Sequence, residues 1–245
     1  MRKLTPVLVA ACLLQALSGH AQSAWLGFNG GVSIHNLRDG GNPMGENFIS
    51  RRGATFGLMS EFRQRKNLSL LVELYYSGQG GTRDGLQPVS SYPLPPGAVP
   101  PGYPYFYADI HKEITFDCIH LPIMARFSWG TKFQFYVNAG FFLGYLFHAD
   151  YRQNGTSQFY FDSKGQQPLV LLGGDSPGRV NFEDDLKISS ALNAGVTGGA
   201  GIAVRLDTGN KIFFDARYEY GSSGVGEYNN KTTNVLFSLG SAWRL

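Results

Sequence analysis

The chain has 245 residues, a formal charge of +3, 16% charged and 14% aromatic residues, and 32 glycines. That balance is unusual for a soluble helical enzyme and fits aromatic, turn-rich β structure, and the length asks for no more than one large domain. Losing Arg2 and Lys3 with the leader described next leaves about +1, which implies neither a basic nucleic-acid surface nor an acidic partner.

Arg2-Lys3, the apolar run Leu4 to Leu17 and the small-residue end Gly19-His20-Ala21 form a secretory signal peptide over residues 1–21, with cleavage expected after Ala21. The rival reading is a lipoprotein box at Val9-Ala10-Ala11-Cys12. Cutting there would strand the apolar residues Leu13 to Leu17 in the mature protein. No run of 18 apolar residues follows the leader, so no membrane helix is expected. With Cys12 in the leader, the mature chain keeps only Cys118, and an intramolecular disulfide is excluded.

From residue 24 onward, eight segments alternate with period 2 and are predicted as strands: 24–35, 53–63, 67–78, 113–128, 131–148, 187–206, 210–221 and 232–245. All reach the roughly 9–11 residues that a tilted strand needs to cross a bilayer. Their connections alternate in length. Residues 63–67, 129–131 and 207–210 are short turns, whereas 36–52, 79–112, 149–186 and 222–231 are longer loops. That alternation is expected when every second connection lies on one side of a membrane.

One parity of each strand carries no charge. Examples are Leu26, Phe28 and Val32, Leu70, Val72 and Leu74, and Phe133, Phe135 and Val137. The opposite parity holds Glu61, Glu73, Arg126, Lys132, Arg205, Asp215, Arg217 and Glu219, beside small residues that suit a narrow interior. Trp25, Phe62, Trp129, Phe133 and Trp243 gather near the turn side, and Tyr76, Tyr145, Tyr218 and Tyr220 near the loop side, as two aromatic girdles would. The predicted fold is all-β: an eight-stranded antiparallel up-and-down transmembrane β-barrel over residues 22–245, facing outer-membrane lipids as a monomer. Parity alone also permits a soluble lipocalin-like barrel with the apolar face inward. The alternating turns, and an apolar set too large for an eight-stranded interior, favour the membrane.

Within such a lumen Glu61, Glu73, Arg126, Arg205, Asp215, Arg217 and Glu219 form a candidate charge network, since buried charges need partners. It reads either as a selectivity lining or as a polar plug that fixes strand register. The histidines His35, His111, His120 and His148 are scattered and show no triad spacing, so no catalytic set, cofactor or metal is expected; a lipid-modifying enzyme using His120 or His148 is the alternative. Loop 149–186 holds Asp150, Asp162, Asp175, Glu183, Asp184 and Asp185 without calcium-loop spacing, which suits a solvated acidic loop. Loop 79–112 mixes prolines with Tyr92, Tyr103, Tyr105, Phe106 and Tyr107, a composition suited to binding an extracellular partner or glycan.

The stretch Asp117-Cys118-Ile119-His120-Leu121-Pro122-Ile123-Met124-Ala125-Arg126-Phe127 resembles the fourth strand of the PorT-like outer-membrane β-barrel family. Tyr136 to Gly140, Gly195 to Gly201 and Phe213 to Gly221 are similar to later strands of that family and of other small barrels of the OmpA and OmpX type. The resemblance implies a non-enzymatic barrel and a secretion-associated partner. The last residues, with Gly240, Trp243 and Leu245, resemble the terminal signal read by the barrel-assembly machinery, although Leu245 stands where phenylalanine is commoner.

Overall fold

The computed structural model describes residues 23–38, 47–89, 105–169, 180–187, 191–223 and 231–245; the leader expected over residues 1–21 lies outside them. The described elements are β1 (Ser23–Arg38), β2 (Ile49–Arg63), β3 (Leu68–Arg83), β4 (Leu86–Val89), β5 (Phe106–Asp109), β6 (His111–Trp129), β7 (Phe133–Ser157), β8 (Val180–Lys187), β9 (Ala191–Arg205), β10 (Lys211–Gly221) and β11 (Lys231–Arg244). Eight of them, β1, β2, β3, β6, β7, β9, β10 and β11, form a ring. Each pairs antiparallel with its neighbour in that order, and β11 returns to β1 from Trp25↔Arg244 to Arg38↔Lys231. Closure leaves no unpaired edge within the ring, which is the condition for strands to cross a bilayer.

The turns close tightly because their chemistry permits it. Gly130 and Gly209 sit at φ 98° and 85°, a backbone region that favours glycine, and Leu206 N–H donates to Asn210 O at 2.7 Å.

Three strands exceed the sequence expectation. β4 and β5 pair with each other inside the segment read as loop 79–112, and β8 pairs with the outer end of β7. The predicted strand 187–206 accordingly begins at Ala191, with Lys187 ending β8, while the predicted strand 131–148 continues to Ser157. Main-chain pairing extends past the lipid-facing part of the wall, where the alternation reverses: on β7 Ala149 and Tyr151 are buried while Asp150 and Arg152 lie outward, so the apolar-outside pattern that marked the strand stops.

The ring's outer surface carries the apolar parity. Leu58, Leu74, Phe135, Phe141, Leu143 and Leu239 are all exposed, and the carboxylates Glu61, Glu73, Asp215 and Glu219 are buried within. This polarity is the inverse of a soluble barrel and removes the lipocalin-like alternative. Two aromatics depart from the expected girdles. Trp25 is buried inside the ring and donates from Nε1 to Gly209 O at 3.1 Å, as its alternation with Leu26 requires. Phe62 keeps the outward parity but is only 5% exposed, and nothing in the structure explains that. Trp129, Phe133 and Trp243 remain exposed at the turn end, and Tyr145 and Tyr218 at the loop end.

Candidate functional site

Inward side chains fill the ring in layers. Nearest the turns, Trp25, Met59, Leu71, Met124, Tyr136, Ala203, Phe213 and Ala242 form an apolar floor. Nearest the loops, Leu37, Phe48, Ile114, Phe116, Cys118, Leu146, Ala149 and Tyr151 form a second apolar layer. Between these layers lies the polar network.

Alternation on β2, β3, β6 and β10 brings Glu61, Glu73, Arg126, Asp215 and Arg217 together. Arg126 Nη1 donates to Glu61 Oε2 at 2.8 Å and its Nε to Asn138 Oδ1 at 2.9 Å. Its guanidinium carbon lies 4.0 Å from the centre of the Tyr136 ring. Arg217 grips Glu73 with two hydrogen bonds, 2.7 and 3.0 Å, and lies 3.1 Å from Asp215. Asn138 Nδ2 donates to the other side of Asp215 at 2.8 Å. Paired this way, the charges avoid the several kcal/mol that an isolated buried ion costs.

Two predicted members sit elsewhere. Glu219 lies in a separate group, accepting from Tyr75 Oη at 2.5 Å and lying 3.3 Å from His120 Nδ1. The His120 ring is stacked between Tyr75 and Phe142, and its Nε2 is 3.0 Å from the Gln79 amide. Arg205 bonds no carboxylate among the described residues. It lies at the turn-side mouth, at the end of β9, with its guanidinium carbon 5.9 Å from the centre of the Trp25 ring. Sequence reasoning missed Lys211, whose Nζ donates to Glu61 Oε2 at 2.5 Å. Its parity with Phe213 and Asp215 was the available signal. Lys132 is exposed in a turn, 3.8 Å from Asp207, and takes no part in the lumen.

Above the ring, parts of two loops share a core of Val89, Phe106, Ala108, Ile110, Phe159 and Leu169, with Phe161 packed against it. Tyr107 and Tyr160 exchange main-chain hydrogen bonds of 2.8 Å, which tie the β4–β5 hairpin to the loop after β7. Of the residues expected to bind a partner, Phe106 is fully buried in this core, so its ring is unavailable for contact. Tyr105 and Tyr107 are half-buried and meet edge to face. Desolvation and a hydrogen bond with Tyr105 push the Tyr107 phenol above its usual pKa, keeping it a neutral donor. Tyr92 and Tyr103 lie outside the described residues. Phe106→Ala is expected to cost the cap about 3–5 kcal/mol. Limited proteolysis should then cut the loops of the variant while the barrel keeps its heat-modifiable migration.

In the acidic loop, the Asp162 carboxylate accepts from the main-chain N–H groups of Gln166 and Gln167 at 2.9–3.0 Å, a turn-forming role. Asp175 and the side chains of Glu183, Asp184 and Asp185 lie outside the described residues. At the end of the chain Trp243 and Leu245 project outward, and Trp243 packs on Phe28 with ring centres 5.5 Å apart. Gly240 is required on steric grounds alone, since a Cβ there would overlap the Phe213 ring.

A closed strand ring with an apolar exterior and a paired, buried polar interior is an integral outer-membrane β-barrel. The family model described as "Outer membrane protein beta-barrel domain" matches residues 20–223, and the chain belongs to that family. No curated protein sequence matches the chain. Among solved structures, it is similar to Neisserial surface protein A at 13% identity and a TM-score of 0.46, covering 91% of this chain and 97% of that one. Ail, the attachment invasion locus protein of Yersinia pestis, follows at 12% identity and a TM-score of 0.41, covering 91% and 100%. The outer membrane protease OmpT from Escherichia coli shows 6% identity and a TM-score of 0.43, covering 92% and 97%.

Proposed function

We propose that the protein is a non-enzymatic outer-membrane barrel that presents a folded loop cap to an extracellular or secretion-associated partner. The observation that carries this reading is the cap's own core. Ordering a loop costs conformational entropy, and the burial of Phe106, Phe159 and Leu169 offsets that cost by fixing one outer surface rather than many. The filled lumen directs action to this surface, because eight strands hold side chains rather than a wide aqueous channel. Burial also argues against His120 as a catalyst, since it is enclosed beneath the loop-side apolar layer and already engaged by Glu219 and Gln79. A PorT-like role in protein secretion is one form of this reading. Recognition of Gly240, Trp243 and Leu245 by the barrel-assembly machinery is its counterpart in biogenesis.

Crosslinking on intact cells tests the cap. Tyr105→Ala with Tyr107→Ala removes amphipathic contact area while leaving Phe106 in place, and is expected to abolish a specific crosslinked species without altering barrel migration. Identical crosslinks from the parent and the variant would remove these tyrosines as the contact.

A further inference from the structure

Beyond the apolar floor, at the turn side, the lumen ends in cations. Arg205 and Arg244 are the next inward positions after Ala203 on β9 and Ala242 on β11, and Arg63 is the next after Glu61 on β2. The ladder gathers them around one side chain, since Trp25 pairs with Glu61 and Arg244, and Lys211 with Arg205. The Arg63 guanidinium carbon lies 5.0 Å from the centre of the Trp25 ring, and Lys211 Nζ lies 4.4 Å from it. Arg205 and Arg244 are close enough to repel the charge of Arg63.

These three arginines are surplus to the lumen network. Glu61, Glu73 and Asp215 are already matched by Arg126, Lys211 and Arg217. Arg63, Arg205 and Arg244 form no ion pair among the described residues. The neighbouring turns add Arg65, Lys66 and Lys132 against a single carboxylate, Asp207, which lies 3.8 Å from Lys132. Like charges gathered in this way raise the free energy of the folded barrel, and a bound anion lowers it. On Arg205 the free donors are Nε and Nη2, the side edge that grips a carboxylate with two parallel hydrogen bonds. That edge is shielded from solvent, but no bond holds it there, so rotation of the side chain is enough to present it.

Strand parity decides which anion can reach the site. Inner-leaflet headgroups surround the outside of the barrel, whereas Arg63 and Arg205 are half-buried on the inward parity and frame the axis. The axis opens to the periplasm, because short turns lie on that side. The apolar floor stops a ligand from passing further into the lumen. The cations stand on three separate strands and on the turns beside them, a spread suited to a chain bearing several carboxylates rather than to one small anion.

We propose that the turn-side mouth docks an acidic peptide segment of a periplasmic protein, gripped by Arg63, Arg205 and Arg244. The site lies at the opposite end of the barrel from the loop cap and is independent of it.

The test titrates the full-length protein, in micelles of a neutral detergent, into a dye-labelled glutamate-rich peptide and into its glutamine counterpart, with fluorescence anisotropy as the readout. The parent should bind the glutamate peptide alone, and more weakly as salt rises. Arg205→Ala removes no side-chain hydrogen bond or ion pair among the described residues, and is expected to weaken binding about tenfold, the scale of one lost charge-assisted contact. Arg205→Lys keeps the charge without the fork and should fall between. Adding Arg63→Ala and Arg244→Ala should remove measurable binding. Tyr105→Ala with Tyr107→Ala, in the cap, should leave it unchanged, and inorganic phosphate or phosphatidylglycerol at equal charge should not displace the peptide. Binding of the glutamine peptide, parental affinity in Arg205→Ala, loss of binding in the cap variant, or displacement by phosphate or phosphatidylglycerol would each overturn the proposal. Heat-modifiable migration of every variant checks that the barrel has folded.

Discussion

Arg217→Ala is expected to destabilise the barrel by about 3–5 kcal/mol, the cost of breaking a buried pair and leaving its partners charged. The arginine holds Glu73 through two hydrogen bonds and Asp215 at 3.1 Å, and all three residues are at most 5% exposed. Truncation strands two carboxylates between apolar layers. Glu73→Gln should cost less, since Arg217 would retain Asp215. Replacing Glu73 and Arg217 together by methionine should recover part of the loss, because Asp215 keeps Asn138 and, at 3.8 Å, Arg126. Urea unfolding in phospholipid vesicles, followed by tryptophan fluorescence, measures all three. A loss below about 1 kcal/mol for Arg217→Ala would show that the network only fills space.

Ala139→Arg is the second large effect. Ala139 is outward and exposed, six residues along β7 from both Phe133 and Tyr145, so it lies near the middle of the apolar band. An arginine there should cost about 2–4 kcal/mol in lipid, whereas Phe133→Arg, at the turn-side interface, should cost about 0–1 kcal/mol. The same unfolding assay reads both. This depth dependence belongs to hydrocarbon, since water on that face would make either arginine nearly neutral. Equal, small costs at the two positions would contradict a lipid-facing surface.

The two effects lie on opposite parities of the wall, and parity is what the sequence conveys most directly. Strand alternation is a local property with period 2, so the apolar series Ile119, Leu121, Ile123 and the inward set Glu61, Glu73 and Asp215 could be read without knowing which strands meet. The number of ring strands and their up-and-down order followed from turn lengths for the same reason. Lys211 was equally legible by parity, although the reading passed over it.

Partners across the ring were not legible. Glu61 meets Lys211 across 150 positions of sequence, and Arg217 meets Glu73 across 144, distances fixed by closure and strand stagger rather than by any local pattern. The same geometry moved Glu219 to His120 and left Arg205 at the mouth. Phe106 looked like an exposed aromatic because its burial depends on Phe159 and Leu169 arriving from a different loop. Phe147 looked like one more lipid-facing residue, and only the pairing of β6 with β7 shows it to be the extra residue that turns His148, Asp150 and Arg152 outward. Alternation along each strand thus determined which residues face lipid and which face the interior. Ring closure and the bulge, both long-range, decided which of them touch.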